Sequence, residues 1–264
     1  MKFALVNNER SEAFKGGKGY CPVCDSEMIA HCGEIKVHHW KHKRKVECDH
    51  WWENETEWHR RWKNQFPKDW QEVVLQDKKT NEKHIADVRA TDYMVLEFQH
   101  SSISLEERKS REYFYKHMTW VIDAAKGYNK FIRNKKHLKE TDIPNIYQTD
   151  YPEQFFPKAW INSEVPVIFD FLGLDQVESK LLPKYKLYCL FPNYGGTYRI
   201  AEINRSSFIK SIHSSEWYSK TVNFLKKETQ KDVIASELNR VNANIERLLR
   251  KRISSNSKGK SRRF

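Results

Sequence analysis

Two carboxylates, Asp87 and Glu97, stand in the short segments Ile85-Ala86-Asp87-Val88 and Leu96-Glu97-Phe98-Gln99. Side chains alternate faces along a strand, so Glu97 and Gln99 project together while Leu96 and Phe98 enter the core. Asp87 likewise opposes Ala86 and Val88. If the two segments are arms of a hairpin turning about Asp92, Asp87 approaches Glu97 from the neighbouring strand. Two carboxylates a few ångströms apart repel unless a cation sits between them. Mg²⁺ or Mn²⁺ suits such oxygen donors, and an ion held there could polarise a phosphate and lower the pKa of an attacking water. The same spacing also describes two surface acids on the polar face of an amphipathic hairpin.

A second group of residues suits a softer metal. Cys21-Pro22-Val23-Cys24 is a knuckle whose two thiolates can reach one ion, and His38-His39-Trp40-Lys41-His42 follows. The spacing reads C-x2-C-x14-H-x2-H through His39 or C-x2-C-x13-H-x3-H through His38, near that of Cys2His2 zinc sites. The expected ligands are Cys21, Cys24, His39 and His42, with Cys32, Cys48 and His50 in reserve. Four protein ligands leave no open position for water, so the zinc would be structural or help grip DNA. A redox Cys-x-x-Cys pair is disfavoured by the adjacent histidines, and five cysteines without an export signal do not read as a disulfide framework.

These residues need elements to hold them. Residues 53–66 carry Trp58, Trp62 and Phe66 at four-residue spacing, which predicts a helix, with Asn54 and Glu57 as a capping pair. Glu55, His59 and Lys63 then share one face. Strands are expected at 72–76, 84–90, 93–99 and 119–123, with a helix started by Ser104 and Glu107 between the last two. This order makes a βαβ crossover on a mixed sheet. Further strands are expected at 165–172, 186–191 and 198–203. Residues 217–252 have a helical pattern able to dock, self-associate or bind a partner, and the last dozen form a basic tail. Trp51, Trp52, Trp58 and Trp62 could stack on bases, although helical spacing favours a core role for the last two.

Composition narrows the function classes. Hydrophobic residues make up 39% of the 264, so a core is available. No run approaches the roughly 20 apolar residues of a membrane span, and the first residues lack a signal-peptide pattern. A cytoplasmic, non-membrane protein is expected. Its formal net charge of +12 favours polyanionic partners.

Taken in order, several of these segments resemble the CoiA-like competence-protein family, a branch of the PD-(D/E)XK nucleases. They are CPVC and HHWKH, ETEWHRRWK, IADV, LEFQHSSIS with Arg111 in the next helix, then FPKAW and PVIFDF. The resemblance covers about residues 15–175. It implies a restriction-endonuclease-like α/β fold, a mixed sheet flanked by helices, with an N-terminal zinc module and a helical C-terminal extension. It implies Asp87 and Glu97 as ligands of a catalytic Mg²⁺ or Mn²⁺, and Gln99 where most of the superfamily carries a lysine. A neutral amide cannot replace that charge, whereas Lys63 could. Glu55 and His59 would line the site, His59 as a proton shuttle or else as a half-buried histidine of an aromatic helix. Lys63 and Arg111 would meet substrate phosphate or brace the hairpin, with a solvated helix face the plainer reading for both. The expected segments are a zinc-knuckle-like module (1–52), a nuclease core (53–145), an α/β extension (146–210) and a helical region with the basic tail (211–264). The expected function is hydrolysis of incoming or foreign DNA, in competence or anti-phage defence. The rival is a degenerate nuclease fold that binds DNA or recruits proteins without cutting.

Overall fold

The computed structural model describes residues 1–44, 48–51, 55–171, 186–193 and 196–231, together with 240 and 243. Two compact units divide the chain, residues 1–218 and 219–264. The first is a mixed α/β unit containing two sheets. The smaller sheet is antiparallel and gathers β1 (Phe3–Val6), β2 (Glu9–Glu12), β3 (Lys18–Tyr20), β4 (Glu27–His31) and β5 (His39–His42) in the order β2-β1-β3-β4-β5. Its apolar side is small: Met1, Ala4, Cys21, Met28 and Trp40 form one cluster. Its strands are three to five residues long, and Glu9 and Arg10 are exposed. That brevity leaves little alternation in the sequence to reveal a sheet.

Helix α1 (Glu57–Lys63) follows, then β6 (Gln71–Gln76), β7 (Lys83–Arg89), β8 (Val95–Gln99), α2 (Leu105–Tyr115) and β9 (Met118–Asp123). Next come α3 (Tyr128–Lys135), β10 (Lys139–Glu140), β11 (Ile146–Thr149), α4 (Lys158–Ile161), β12 (Val167–Asp170), β13 (Lys186–Leu190), β14 (Tyr198–Asn204) and α5 (Arg205–His213). Strands β6 to β14 form a nine-stranded sheet in the order β10-β11-β14-β13-β12-β9-β8-β7-β6. β9 lies parallel to both β8 and β12, and the remaining pairs are antiparallel. The segment 146–210 therefore adds its strands to the sheet that carries Asp87 and Glu97.

Helix α1 begins at Glu57 and ends at Lys63, inside the 53–66 expected from the tryptophan spacing. Its cap is Thr56, whose side chain accepts from the His59 amide, and the His59 ring accepts from the Thr56 amide in return. The proposed cap Asn54 lies outside the described residues. Ser104 does cap α2, its hydroxyl accepting from the Glu107 amide at 3.0 Å, the geometry that satisfies an otherwise orphaned first-turn donor. Trp58 and Trp62, on one face of α1, are buried and belong to the core. Both indole N–H groups donate to Asp170 Oδ2 at 3.0 Å, and Trp62 stacks on Phe98. Arg205 lies 3.5 Å from the same carboxylate oxygen, so the fully buried charge on Asp170 is both paired and hydrogen-bonded.

The second unit is helical over 219–231. The later positions of the expected terminal helix (Val233, Ile234, Leu238, Val241, Ile245, Leu248, Leu249) and the basic tail lie outside the described residues, as do Trp52 and residue 172 of the strand expected at 165–172. No helix among the described residues is long and apolar enough to cross a membrane.

Candidate active site and candidate metal centre

Strands β7 and β8 pair through Val88–Leu96 and Arg89–Val95. Beyond that point side chains take over from the backbone ladder. The Asp87 amide donates to Glu97 Oε1 at 3.1 Å, and the Phe98 amide donates to Asp87 Oδ2 at 2.9 Å. The two carboxylates thus face each other across adjoining strands, as the register of a hairpin requires. They open into a cavity of about 60 Å³ also lined by Lys63, Arg111, Glu55, His59, Glu72, Asp49, Trp51, Ile85, Phe98 and Met1. That volume holds a few water molecules or a partly hydrated ion.

Each acid has a cationic neighbour. Lys63 Nζ lies 2.9 Å from Asp87 Oδ1, 3.0 Å from Glu72 and 3.6 Å from Glu55. Burial opposes the charge on Lys63, but Asp87, Glu55 and Glu72 outweigh it and hold the ammonium well above its ordinary pKa. Arg111 Nη1 donates to Glu97 Oε2 at 3.0 Å, while Nη2 donates to Glu107 and to the Trp51 carbonyl. Its terminal nitrogens are committed within the protein, so it braces the hairpin. Glu97 is pushed up to about 8, first by burial and then by Asp87, with Arg111 only partly compensating. A buried acid that stays protonated near neutrality beside a second carboxylate is short of positive charge.

The other expected site residues separate. Glu55 is pinned by Arg60 Nε at 2.9 Å and Nη2 at 2.7 Å. His59 lines the cavity, but Thr56 occupies its Nδ1 and its Nε2 donates to the Phe98 carbonyl at 3.0 Å. With both nitrogens engaged it positions α1 against β8. Gln99 is buried on the face of Glu97, yet its amide turns to Ser101, at 3.3 Å to the carbonyl and 3.4 Å to the hydroxyl. Among the described residues, the cavity lining includes Glu97 and Phe98 but not Gln99. The positive charge beside Asp87 comes instead from the helix, one turn beyond His59.

Glu72 and Asp49 enter the cavity without having been anticipated. Glu72 is marked in the sequence only as an acid heading the apolar strand EVVLQ, which gives little hint of burial. Asp49 follows Cys48 and accepts from the Ile85 amide at 3.0 Å and from the His84 ring at 2.9 Å.

In the N-terminal sheet, Cys21, Cys24, His42 and Cys48 bring one potential ligand atom each to within 4.8 Å of the others. The measured separations are 3.8 Å for Cys21 Sγ–Cys48 Sγ, 3.5 Å for Cys24 Sγ–His42 Nε2 and 3.6 Å for Cys48 Sγ–His42 Nε2. A tetrahedral ion with bonds of about 2.3 Å to sulfur and about 2.05 Å to nitrogen would set sulfurs roughly 3.8 Å apart and sulfur from nitrogen roughly 3.5 Å apart. The four residues therefore form a group able to hold a metal ion and consistent with structural zinc.

His39, expected as a ligand, is not in this group; Cys48 takes its place. Residues 39–42 are a strand, where positions i and i+3 face opposite ways. His42 shares a face with buried Trp40, towards the cysteines. His39 points away, hydrogen-bonds the Val37 carbonyl at 2.8 Å and stacks on His31. The H-x2-H spacing suits a helix, and this segment is extended. No family model, curated protein or solved structure matches the chain.

Proposed function

We propose that this protein is a metal-dependent nuclease that hydrolyses DNA phosphodiester bonds, acting in the cytoplasm on incoming or foreign DNA. One observation carries the reading: Asp87 and Glu97 meet in a single cavity with Lys63 on the first and Arg111 on the second. The order α1, β6, β7, β8, α2 and a parallel β9 fits a restriction-endonuclease-like core. Asp87 and Glu97 are the residues suited to hold Mg²⁺ or Mn²⁺, since both are oxygen donors and Glu97 lacks full charge compensation. A bound ion of this kind supplies Lewis-acid polarisation and a water of usable pKa. Lys63 keeps a fixed ammonium at the cavity, able to offset charge gathering on a phosphoryl oxygen. Arg111 and His59 keep β8 and α1 in register. Zinc at Cys21, Cys24, His42 and Cys48 has a structural part, and the net charge of +12 supports binding to a polyanion.

Purified protein is expected to cleave DNA with Mn²⁺ or Mg²⁺ and to stop on addition of EDTA. Asp87→Asn and Glu97→Gln should each lower the rate at least about a hundredfold, comparable to losing a principal electrostatic group, while DNA binding persists. Binding without cleavage across single-stranded, double-stranded and branched DNA would favour the adaptor reading.

A second expectation concerns pH. The folded pKa of Glu97, about 8, lies above its ordinary value of 4.5. Without metal, the folded chain therefore holds extra proton from about pH 4.5 to 8, and this group's contribution to stability is lost as pH rises through 8. Mn²⁺ competes with that proton, so its affinity should climb across the same window and level off above it, with proton release on binding. Calorimetry in buffers of different ionisation enthalpy measures both effects. An affinity that is flat from pH 6 to 9 would rule out Glu97 as a ligand.

A further inference from the structure

Resting on the nuclease reading, we propose that Glu72 is a positioning residue that holds Lys63 against Asp87 and makes the N-terminal sheet part of the site. Glu72 is 6% exposed and is the second residue of β6, the strand beside that of Asp87. Its carboxylate accepts from the Lys2 amide at 2.7 and 2.9 Å, from the Phe3 amide at 3.0 Å and from Lys63 Nζ at 3.0 Å. One carboxylate thus joins the first strand of the small sheet to the ammonium lying on Asp87.

The backbone of Glu72 adds an independent sign. Its φ is +47°, a left-handed conformation that a side-chain-bearing residue in a strand rarely adopts. Such strain survives where surrounding contacts over-determine it, and it gathers at functional sites. Here the unusual twist delivers the carboxylate to two backbone N–H groups and one ammonium together.

Lys63 has three acidic neighbours with different roles. Glu55 is held by both Arg60 nitrogens and sits farther away, at 3.6 Å. Asp87 belongs to the proposed ion. Glu72 is fixed by backbone amides and has no other task in the cavity. It is therefore the acid suited to hold the ammonium in place when an ion draws on Asp87. Burial would raise the pKa of Glu72, but Lys63, the terminal amine and the amides of Lys2 and Phe3 pull it down to about 2. The charged groups facing Lys63 are Asp87 on β7, Glu72 on β6, Glu55 just before α1 and Arg60 within it. Glu97 and Arg111 lie across the cavity, and the amine of Met1 comes from the small sheet.

The test follows Lys63 itself. In full-length protein carrying ¹³C at lysine Cε, with the Lys63 signal assigned through Lys63→Arg, the amine is titrated by NMR. Wild-type Lys63 should stay charged to the top of the accessible pH range. Glu72→Gln should bring its midpoint down into that range, and Glu72→Asp, which retains the charge, should lower it less. Zinc content and a cooperative melt establish that each variant is folded. Mn²⁺-dependent cleavage by Glu72→Gln should fall at least tenfold in kcat with little change in KM, with the alkaline limb of its pH profile moved to lower pH. A Lys63 that stays charged across that same range in folded Glu72→Gln overturns the proposal. A midpoint brought into range by Glu72→Gln, together with wild-type protein that cuts no DNA under any condition, upholds the clamp and overturns the nuclease reading. If Glu72→Gln does not fold, Glu72→Gly, which relieves the positive φ, is titrated in its place under the same criteria.

Discussion

Lys63→Met should destabilise the protein by roughly 3–5 kcal/mol, the usual cost of removing one partner from a buried ion pair. For a chain of this size that lowers the melting temperature on the order of ten degrees. Lys63 is 5% exposed and its ammonium faces Asp87, Glu72 and Glu55, and methionine leaves their charges crowded in the cavity without a counter-charge. The pH dependence identifies the cause. Glu72 has a folded pKa of about 2, below its ordinary 4.5, so its contribution is present above pH 4.5 and fades as pH falls towards 2. Glu55 is lowered as well: burial raises it, but Lys63 and Arg60 prevail over burial and the neighbouring Glu72. The deficit of Lys63→Met should therefore be largest near neutrality and shrink in acid. Thermal melts from pH 3 to 8 check this, and a deficit independent of pH would trace the loss to packing alone. Added Mn²⁺ should restore part of the stability, because an ion can supply the charge that methionine removes.

Cys48→Ser should empty the Cys/His cluster and unravel the small sheet, whereas His39→Ala should leave zinc content near one per chain. Structural zinc sites in small modules bind with apparent free energies of about 10–16 kcal/mol, and that energy is folding energy. The apolar cluster behind the sheet, centred on Met28 and Trp40, is small by comparison. Elemental analysis with amide NMR of residues 1–44 reads both outcomes. Zinc retained by Cys48→Ser and lost by His39→Ala would restore the ligand set suggested by the bare spacing of the histidines.

These two sites show what a linear reading can and cannot find. The hairpin carrying Asp87 and Glu97 was legible because period-two alternation states which side chains share a face. The tryptophan spacing of α1 was legible for the corresponding helical reason. Cys48 was harder to place. It lies beyond β5, and only the strand geometry of His39–His42 shows that one of those histidines must turn away. Gln99 misleads differently: its position promises a role in the cavity, yet its amide is taken by Ser101. Glu72 was hidden because its burial depends on a positive φ and on amides about seventy residues earlier in the chain. The small sheet was hidden because its strands are too short for alternation to rise above chance.

Asp170 accepts both indole N–H groups of α1, from residues that each directly precede a cavity-lining one, His59 or Lys63. Rolling that helix about its axis would break both bonds and uncover a fully buried carboxylate. The tolerance on the Lys63–Asp87 gap is therefore set from beside the cavity, by the seating of two rings on a central strand. Accuracy at the reactive face is inherited from the interior, which leaves the rim free to change with whatever must be admitted.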